Sequence, residues 1–292
     1  MSKKRVPIDE VKKLVIIALV SDDYLMETLV LKGGNALQLG YDISHRASFD
    51  FDFSMSEDFQ DIQDAAQRIE LSLIQTFKDN GLHVFDFDFY LRPKMAGEAT
   101  ADFWGGYLAQ FKFIELDKLK ELGADNLQEL RKQAIPVYPN NSPKIDIEIS
   151  KFEYVDDQKD VDIEGYTVRV YAPRLLVFEK VRAICQQLED YAQVVPSFSS
   201  RARVRDFDDI YTILEHFDID LDTEESKDIL RNVFDAKRVP YGFLKKMRDN
   251  KELHKQDYAS LADTVSPAEK ENLKDFDFYF DFVIEKFENY LD

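Results

Sequence analysis

Two aspartates lie close together in a segment that otherwise has the character of a buried β-strand. In "SFDFDFS", residues 48–54, phenylalanines alternate with Asp50 and Asp52. A strand with this alternation directs its aromatic rings to one face and its carboxylates to the other, with the two aspartate Cα atoms roughly 7 Å apart. Two anions at that spacing repel each other unless water, a cationic side chain or a metal ion lies between them.

A glycine-containing turn precedes the two aspartates. Gly33 and Gly34, in "LVLKGGNAL", allow a tight turn whose backbone N–H groups open a helix and can bind phosphate oxygens. Lys32 and Arg46 add positive charge on either side. A phosphate-binding turn followed by two carboxylates on one strand suits a metal–nucleoside triphosphate, because magnesium takes oxygen ligands and stays in contact with substrate phosphates.

A third carboxylate would complete a two-metal arrangement, in which one ion activates the attacking hydroxyl. The segment "KIDIEIS", residues 144–150, places Asp146 and Glu148 on the same face of a strand. We take Asp146 as the third carboxylate and keep Glu148 as the alternative.

The Asp-Phe-Asp pattern also occurs at Asp86/Asp88 and at Asp275/Asp277, where no glycine turn precedes it. Alternation with one solvated face is ordinary in antiparallel sheets. We therefore interpret these two pairs as a half-exposed strand and a helix edge.

The residues that combine these features resemble the DNA polymerase β-like nucleotidyltransferase superfamily, and within it the AbiEii/AbiGii-type toxins of type IV toxin–antitoxin systems. The matching segments are "KGGNAL" (32–37), "RASFDFDF" (46–53), "KIDIEIS" (144–150), "FEKVRAI" (178–184) and "RDFDDIYTIL" (205–214). They span most of residues 30–215 in the family's order. Superfamily members often have Gly-Ser at the turn, where this chain has Gly34-Asn35, so the Asn35 amide would replace the hydroxyl as a phosphate donor.

The resemblance implies an enzyme that transfers a nucleotide from an NTP to an acceptor hydroxyl and releases pyrophosphate, with Mg²⁺ or Mn²⁺ as cofactor. It implies a toxin with a separately encoded antitoxin, and RNA, tRNA in some branches, as the acceptor. The implied metal ligands are Asp50, Asp52 and Asp146. The implied NTP contacts are Lys32, Gly33, Gly34, Asn35, Arg46, Ser48 and Lys180, and Lys180 and Asp206 join the metal ligands as catalytic residues.

Lys180 falls inside the apolar arc of a predicted helix, between Leu176 and Ile184. A lysine in that position either extends along the core to reach solvent or directs its charge into a site. The residues alone favour the first interpretation, and the family resemblance favours the second.

Three aspartates in "RDFDDIYTIL" occupy different positions on a helical wheel. Asp206 lies within the apolar stripe, Asp209 lies at its edge, and Asp208 faces away. Asp206 is either a charge that stabilises the helix N-terminus or, by the resemblance, an active-site residue that works with Asp209 to orient Lys180 or an arginine.

The net charge of −19 would repel a nucleic acid unless basic residues cluster locally. Such a cluster is present at residues 201–205, where Arg203 and Arg205 are candidates for acceptor binding or support, together with Asp209 and Glu148. Arg169, Arg174 and Arg182 precede it along the chain and could extend the same surface.

The 292 residues suffice for two domains. We predict an α/β (α+β) nucleotidyltransferase domain with a mixed sheet at residues 1–172, and a mainly helical domain at 173–292 that contributes to the cleft. The predicted strands are 29–34, 48–54, 82–92, 103–115 and 143–153. The predicted helices include 8–28, 57–80, 117–133 and 266–291.

The longest apolar run, residues 14–20, is too short to span a membrane. Cys185 is the only cysteine, so no intrachain disulfide can form and a reducing compartment is favoured. We expect a cytoplasmic protein without a membrane partner.

Two rival functions use some of the same residues. A catalytically weak protein of the same fold would bind NTP and act through a partner. A metal-dependent nuclease would use the acids of "DIEISK" with Lys151, but its spacing fits the usual acid-x-Lys arrangement poorly and it has no need of the Gly33-Gly34 turn.

Overall fold

A mixed β-sheet places the predicted site residues beside one another. The computed structural model describes residues 6–43, 48, 50–94, 97, 99–138, 140–266 and 268–292. The strands of the sheet are β1 (Val30–Leu31), β2 (Phe51–Ser54), β3 (Leu82–Arg92), β4 (Gly106–Glu115), β5 (Ile145–Ser150), β6 (Gln158–Ile163) and β7 (Tyr166–Tyr171). Their order across the sheet is β3-β4-β5-β2-β1-β7-β6.

The two strands that carry the predicted carboxylates are parallel neighbours. Strand β2 pairs in parallel with β5, and Asp52 lies directly opposite Glu148. Strand β1, which leads into the glycine turn, pairs antiparallel with β2 on its other side and parallel with β7. The remaining pairs are antiparallel. Because directly paired residues direct their side chains to the same face, Asp52 and Glu148 share one surface of the sheet.

Helices cover the sheet and form most of the chain after residue 172. Those before it are α1 (Ile8–Val20), α2 (Asp23–Thr28), α3 (Gly33–Asn35), α4 (Ile62–Asp79), α5 (Leu116–Leu122) and α6 (Leu127–Gln133). Those after it are α7 (Pro173–Cys185), α8 (Val204–His216), α9 (Glu224–Asp235), α10 (Lys251–Lys255), α11 (Tyr258–Ala262) and α12 (Phe276–Phe287). A π-helical turn, Ala36–Gly40, continues α3, and 3₁₀ segments occupy Glu189–Gln193 and Tyr241–Asn250.

The fold class predicted from the sequence is confirmed, and several element bounds differ. The helix predicted at 8–28 is two helices, because Asp22 accepts a hydrogen bond from the Leu25 N–H and begins a second one. The helix predicted at 117–133 breaks at Gly123, which has a φ of 81°. The hairpin of β6 and β7 was not predicted, since its charged, exposed positions obscure the alternation.

A hydrophobic core beneath the sheet and helices supports the site. Phe51 and Phe53 are fully buried on the face of β2 opposite Asp52. One contiguous cluster of buried apolar residues joins these rings to Phe178 on α7 and Phe287 on α12. The boundary predicted at residues 172 and 173 falls at the junction of β7 and α7, and the division into domains stays a prediction. In the described part of the chain, no helix is both long enough and apolar enough to cross a bilayer.

Replacing Gly106 by alanine tests the pairing of β4 with β5, the strand that carries Glu148. A Cβ atom at Gly106 would lie 2.0 Å from the backbone oxygen of Ile149, so the paired strands would have to separate locally. We expect Gly106→Ala to lower the free energy of unfolding in urea by about 1–3 kcal/mol, as overpacking of a close contact does. Gly242→Ala is the matched control, because a Cβ atom there meets nothing within 4 Å. Equal stability of the two variants would show that β4 and β5 are not packed as described.

Candidate active site

Most of the predicted site residues line one cavity of about 740 Å³ between the carboxylate face of the sheet and the helices that follow it. The glycine turn, β2, β5, α7 and the first turn of α8 form its walls. The predicted residues that line it are Lys32, Gly33, Gly34, Ser48, Asp50, Asp52, Glu148, Lys180, Arg203, Arg205 and Asp206. Arg46, a predicted NTP contact, lies outside the described residues.

The glycine turn packs directly against the carboxylate strand. Gly33 has a φ of 69°, a conformation that glycine adopts without strain. A Cβ atom at this position would lie 2.7 Å from Oδ2 of Asp52, closer than non-bonded atoms approach. The backbone N–H of Lys32 donates to the Asp52 carbonyl oxygen at 2.9 Å. Both the backbone conformation and the available space therefore require glycine at residue 33.

Asn35 connects the glycine turn to the segment that carries Asp50. Its side chain is fully buried, and its Nδ2 donates to the backbone oxygen of Asp50 at 2.7 Å. It does not line the cavity. The structure therefore does not place the Asn35 amide where we expected it to donate to a phosphate, because the side chain is fully buried outside the cavity lining.

Asp52 lines the cavity together with several other carboxylates, of which Asp50, Glu148 and Glu179 act on it electrostatically as like charges. Burial in the cleft raises the pKa of Asp52 to about 7, and the negative charges of the other three carboxylates add to the rise while Lys32 opposes it. The surroundings of Asp52 thus disfavour its ionised form. A cation bound among these carboxylates would relieve that repulsion.

The structure places Glu148, and not Asp146, in the cavity beside Asp52. Arg92 donates to Oε1 of Glu148 at 2.6 Å. Asp146 lies two residues earlier on β5, where it accepts a hydrogen bond from Gln110 at 2.8 Å and outside the cavity lining. Asp146, the first choice for the third carboxylate, therefore lies two residues away from the position opposite Asp52. Glu148, the alternative, occupies that position.

The carboxylates at the cavity suit a magnesium ion that is shared with a substrate. No group of three or more His, Cys, Asp or Glu side chains within the described ranges could hold a metal ion by itself. Magnesium is commonly bound by one or two carboxylates, with water and substrate phosphates completing its shell. Asp50 and Asp52 fit that mode of binding, since both line the cavity and the charge of Asp50 acts on Asp52.

Lys180 links α7 to α8 through two carboxylates. Its Nζ lies 3.1 Å from Oδ1 of Asp206 and 2.6 Å from Oδ2 of Asp209. Lys180 is only 4% exposed, so its ammonium group does not extend to solvent. Lys180 lines the cavity and directs its charge at these two carboxylates, and its role as a contact of the site stays a prediction.

Asp208 corrects the helical-wheel assignment. It was predicted to face away from the apolar stripe, yet it is fully buried. Helix α12 packs on that side of α8, where the Tyr279 hydroxyl donates a hydrogen bond to Asp208 and Phe207 contacts Phe280. A wheel drawn from α8 alone gives no indication of a second helix on its other side.

The arginines predicted to form one surface divide into two groups. Arg182, Arg201, Arg203 and Arg205 line the cavity, and Arg203 lies 3.6 Å from Oδ2 of Asp206. Arg169 instead donates to the backbone of Glu27, and Arg174 pairs with Asp157 and Glu225. Those two arginines are held by partners elsewhere, so the cationic surface is smaller than the sequence suggested.

The other aspartate pairs have structural roles, as predicted. Asp86 receives two hydrogen bonds from Arg131 and one from Lys112 on the outer strands of the sheet. Asp275 caps the N-terminus of α12 by accepting from the Phe278 N–H. Neither residue lines the catalytic cavity.

Several cavity residues were not identified from the sequence. Glu179 precedes Lys180 within a matched segment, so its position on α7 gave a signal that could have been used. Glu153 and Trp104 lie in irregular segments after β5 and before β4, and no local pattern distinguishes them. Lys237 follows α9 and contacts Glu153 at 3.4 Å, a proximity that only the fold creates.

Comparison with known proteins was made at three levels. The family model described as the nucleotidyl transferase AbiEii toxin of type IV toxin–antitoxin systems matches residues 17–282. No curated protein matches the chain.

Among solved structures, a candidate nucleotidyltransferase from H. pylori is 16% identical, with a TM-score of 0.47 over 98% of this chain and 97% of that one. An antigenic nucleotidyltransferase-like protein from Paracoccidioides brasiliensis is 15% identical, with a TM-score of 0.39 over 81% and 95%. The nucleotidyltransferase toxin MenT4 from Mycobacterium tuberculosis is 15% identical, with a TM-score of 0.39 over 83% and 64%. Likenesses of this size carry no argument about the site.

Two aspartates two positions apart on α8 provide a matched test of the site's boundary. We expect Asp206→Ala to remove most of the catalytic activity, because the side chain lines the cavity and contacts Lys180. Asp208→Ala should leave the activity intact and lower the free energy of unfolding by about 1–3 kcal/mol, the cost of leaving a buried hydrogen-bonding group unpaired. Turnover and urea unfolding measured on both variants test the contrast. A folded Asp208→Ala protein as inactive as Asp206→Ala would show that the catalytic surface of α8 is assigned to the wrong side.

Proposed function

Because the chain belongs to the AbiEii family of nucleotidyltransferase toxins from type IV toxin–antitoxin systems, we propose that it transfers a nucleotide from an NTP to a hydroxyl group of RNA. The observation that carries this proposal is the contact between the glycine turn and the carboxylate strand, which places a phosphate-binding backbone against Asp52. The cofactor in this proposal is Mg²⁺ or Mn²⁺, held by Asp50 and Asp52.

The reaction joins the acceptor oxygen to the α-phosphorus and breaks the bond from that phosphorus to the bridging oxygen, so pyrophosphate leaves. A divalent ion bound at Asp50 and Asp52 would neutralise phosphate charge and favour ionisation of the attacking hydroxyl. Glu148, beside Asp52, serves as the third carboxylate and accepts the hydroxyl proton. Arg92 orients Glu148 through the hydrogen bond at 2.6 Å.

The triphosphate would be held from two sides. On one side lie the backbone N–H groups of Gly33 and Gly34, with Lys32 and Ser48 next to them in the cavity wall. On the other side lies Lys180, which Asp206 and Asp209 hold in place. Arg46 remains a proposed contact on the basis of the family motif alone.

RNA is the proposed acceptor because one part of the cavity wall carries a cluster of arginines on an otherwise acidic protein. Arg201, Arg203 and Arg205 line the cavity, although the net charge of the chain is −19. An adjoining cavity of about 360 Å³ shares Glu148 and the aromatic ring of Trp104 with the first and adds Arg92. Cationic and aromatic side chains next to Glu148, the proposed proton acceptor, suit the end of a single-stranded nucleic acid. Such an end binds through contacts to its phosphates and through stacking of its nucleobases.

The family also supplies the biological setting of the proposal. A type IV toxin is encoded with an antitoxin, so we propose a separately encoded antitoxin protein as the partner that opposes this enzyme. NTPs and cellular RNA are both present in the cytoplasm, which is the compartment we propose for the reaction.

The proposal is tested by incubating the protein with total RNA, magnesium and each radiolabelled NTP in turn. We expect the wild-type protein to label RNA and release pyrophosphate. Asp50→Ala and Asp52→Ala should each reduce transfer by more than about 100-fold. Loss of a residue that only supports a metal ligand typically costs roughly 10–100-fold, and these two residues are the proposed ligands themselves. Without divalent metal, their thermal midpoints should equal or exceed that of the wild type, because each change relieves repulsion between neighbouring carboxylates.

Asp86→Ala is the matched control, since Asp86 has the same sequence context but pairs with Arg131 outside the cavity. It should retain transfer activity. Loss of activity in Asp86→Ala equal to that in Asp52→Ala would contradict the assignment of the site. NTP binding without pyrophosphate release would indicate a binding protein, and shortened RNA without label would indicate a nuclease.

A further inference from the structure

A single buried carboxylate lies among three cations behind the glycine turn. Oε1 of Glu153 lies 3.7 Å from Nζ of Lys32 and 3.4 Å from Nζ of Lys237, and Oε2 lies 3.4 Å from Arg182. The three cationic side chains and Glu153 are each no more than 10% exposed. The cations come from the turn after β1, from α7 and from the segment after α9, so the fold brings three distant parts of the chain to one anion.

Other groups hold these cations in place. Lys237 donates to the backbone oxygens of Lys151 and Phe103 at 2.6 and 3.1 Å. Arg182 donates to Gln186 at 2.8 Å and to Glu179 at 2.9 Å. The distances from Arg182 and from Lys237 to the Glu153 carboxylate, 3.4 Å each, are longer than these hydrogen bonds. Glu153 therefore acts on the cations mainly through its charge.

Glu153 is itself fixed by the backbone. Its N–H donates to the carbonyl oxygen of Met55, just after β2, at 3.1 Å. Burial alone would raise its pKa, but Arg182, Lys237 and Lys32 lower it to about 2. Burial and the neighbouring cations lower the pKa of Lys237 to about 8. The carboxylate is thus firmly ionised, while the cations around it are crowded.

The cluster faces the site of the proposed reaction. Lys32, Glu153 and Arg182 line the 740 Å³ cavity, and Lys237 lines the adjoining one. Three cations against the carboxylates of Glu153 and Glu179 leave an excess of positive charge. A polyphosphate entering the cavity would be attracted to the cations and repelled by Glu153.

We propose that Glu153 is an internal counter-ion for the buried cations Lys32, Arg182 and Lys237, whose positive charge attracts a polyphosphate into the cleft. It partly neutralises them while the cleft is empty, and it weakens their hold on pyrophosphate after transfer, so that the product dissociates. This inference rests on the proposed function, which supplies the triphosphate and generates the pyrophosphate. Glu153 is a positioning residue, because it acts through the cations and need not touch the substrate.

The direction in which polyphosphate affinity changes when Glu153 is removed distinguishes an internal counter-ion from a residue with a purely structural role. Without Glu153 the three cations repel one another, so the ligand-free protein should be less stable under either account. An internal counter-ion also competes with bound anions, so its removal should tighten polyphosphate binding. A residue that only maintains the shape of the site would leave that binding unchanged or weaker when removed.

The test measures binding of sodium tripolyphosphate and pyrophosphate to the full-length protein by calorimetry without divalent metal. We expect Glu153→Gln to have a lower thermal midpoint than the wild type and to bind tripolyphosphate about tenfold more tightly. Pyrophosphate should inhibit transfer by Glu153→Gln more strongly than transfer by the wild type. Lys32→Met, which keeps the apolar stem and deletes the charge, should bind tripolyphosphate more weakly.

Asp58→Asn is the matched control. Asp58 pairs with Lys151 at 2.5 Å near the same loop but does not line either cavity, so its loss should leave tripolyphosphate affinity unchanged. If Glu153→Gln does not fold, Glu153→Gln combined with Lys237→Met is compared with Lys237→Met alone. The same tightening is expected, because one cation is absent from both members of that pair.

Equal or weaker tripolyphosphate binding after loss of Glu153 would overturn the inference, as would a wild-type protein that does not bind tripolyphosphate. Failure of the proposed function has a different signature. In that case the predicted affinities would be observed in these variants, but the wild-type protein would release no pyrophosphate from any NTP in the presence of RNA.

Discussion

Gly33 and Asp52 approach each other so closely that no side chain fits between them. The turn backbone lies against the Asp52 carboxylate, the Lys32 N–H donates to the Asp52 carbonyl oxygen, and Asn35 donates to the carbonyl oxygen of Asp50. These contacts tie a short helical turn to β2, a four-residue strand that pairs with β1 on one side and β5 on the other. The position of the glycine turn relative to the carboxylates of β2 is set by this junction.

The cleft keeps like charges together on each of its two sides. Asp50, Asp52, Glu148 and Glu179 form an anionic side, and burial, with a further contribution from the other three carboxylates, raises the pKa of Asp52. Lys32, Arg182 and Lys237 form a cationic side around Glu153. This arrangement suits the ligand that we propose, a nucleoside triphosphate with its metal ion.

The sequence predicted the features that depend on local pattern. The alternation at residues 48–54 identified the carboxylate face of β2, where Phe51 and Phe53 are buried, and Phe49 lies outside the described residues. Two adjacent glycines identified the turn, and the helical wheel identified Lys180 as a charge within an apolar arc. Periods of 2 and 3.6 residues encode these assignments directly.

Features that depend on neighbouring elements were not accessible in the same way. The choice between Asp146 and Glu148 is decided by the register of β5 against β2, and both residues have the same local alternation. The burial of Asp208 is decided by α12, and the cluster around Glu153 by a lysine 84 positions later at residue 237. Tertiary contacts of this kind leave no periodic signal in one sequence.

Binding of a non-hydrolysable NTP with magnesium to Gly33→Ala, compared with Gly81→Ala, tests the central claim most directly. Both glycines have a positive φ, 69° and 76°, so an added Cβ strains the two backbones alike. A Cβ atom at Gly33 would meet Asp52, whereas one at Gly81 would meet nothing within 4 Å. We expect Gly81→Ala to bind the nucleotide as the wild type does and Gly33→Ala to lose binding by at least about tenfold, which corresponds to about 1.4 kcal/mol. A folded Gly33→Ala protein with wild-type affinity would contradict the account, since the turn and the carboxylate strand would then not form one nucleotide site.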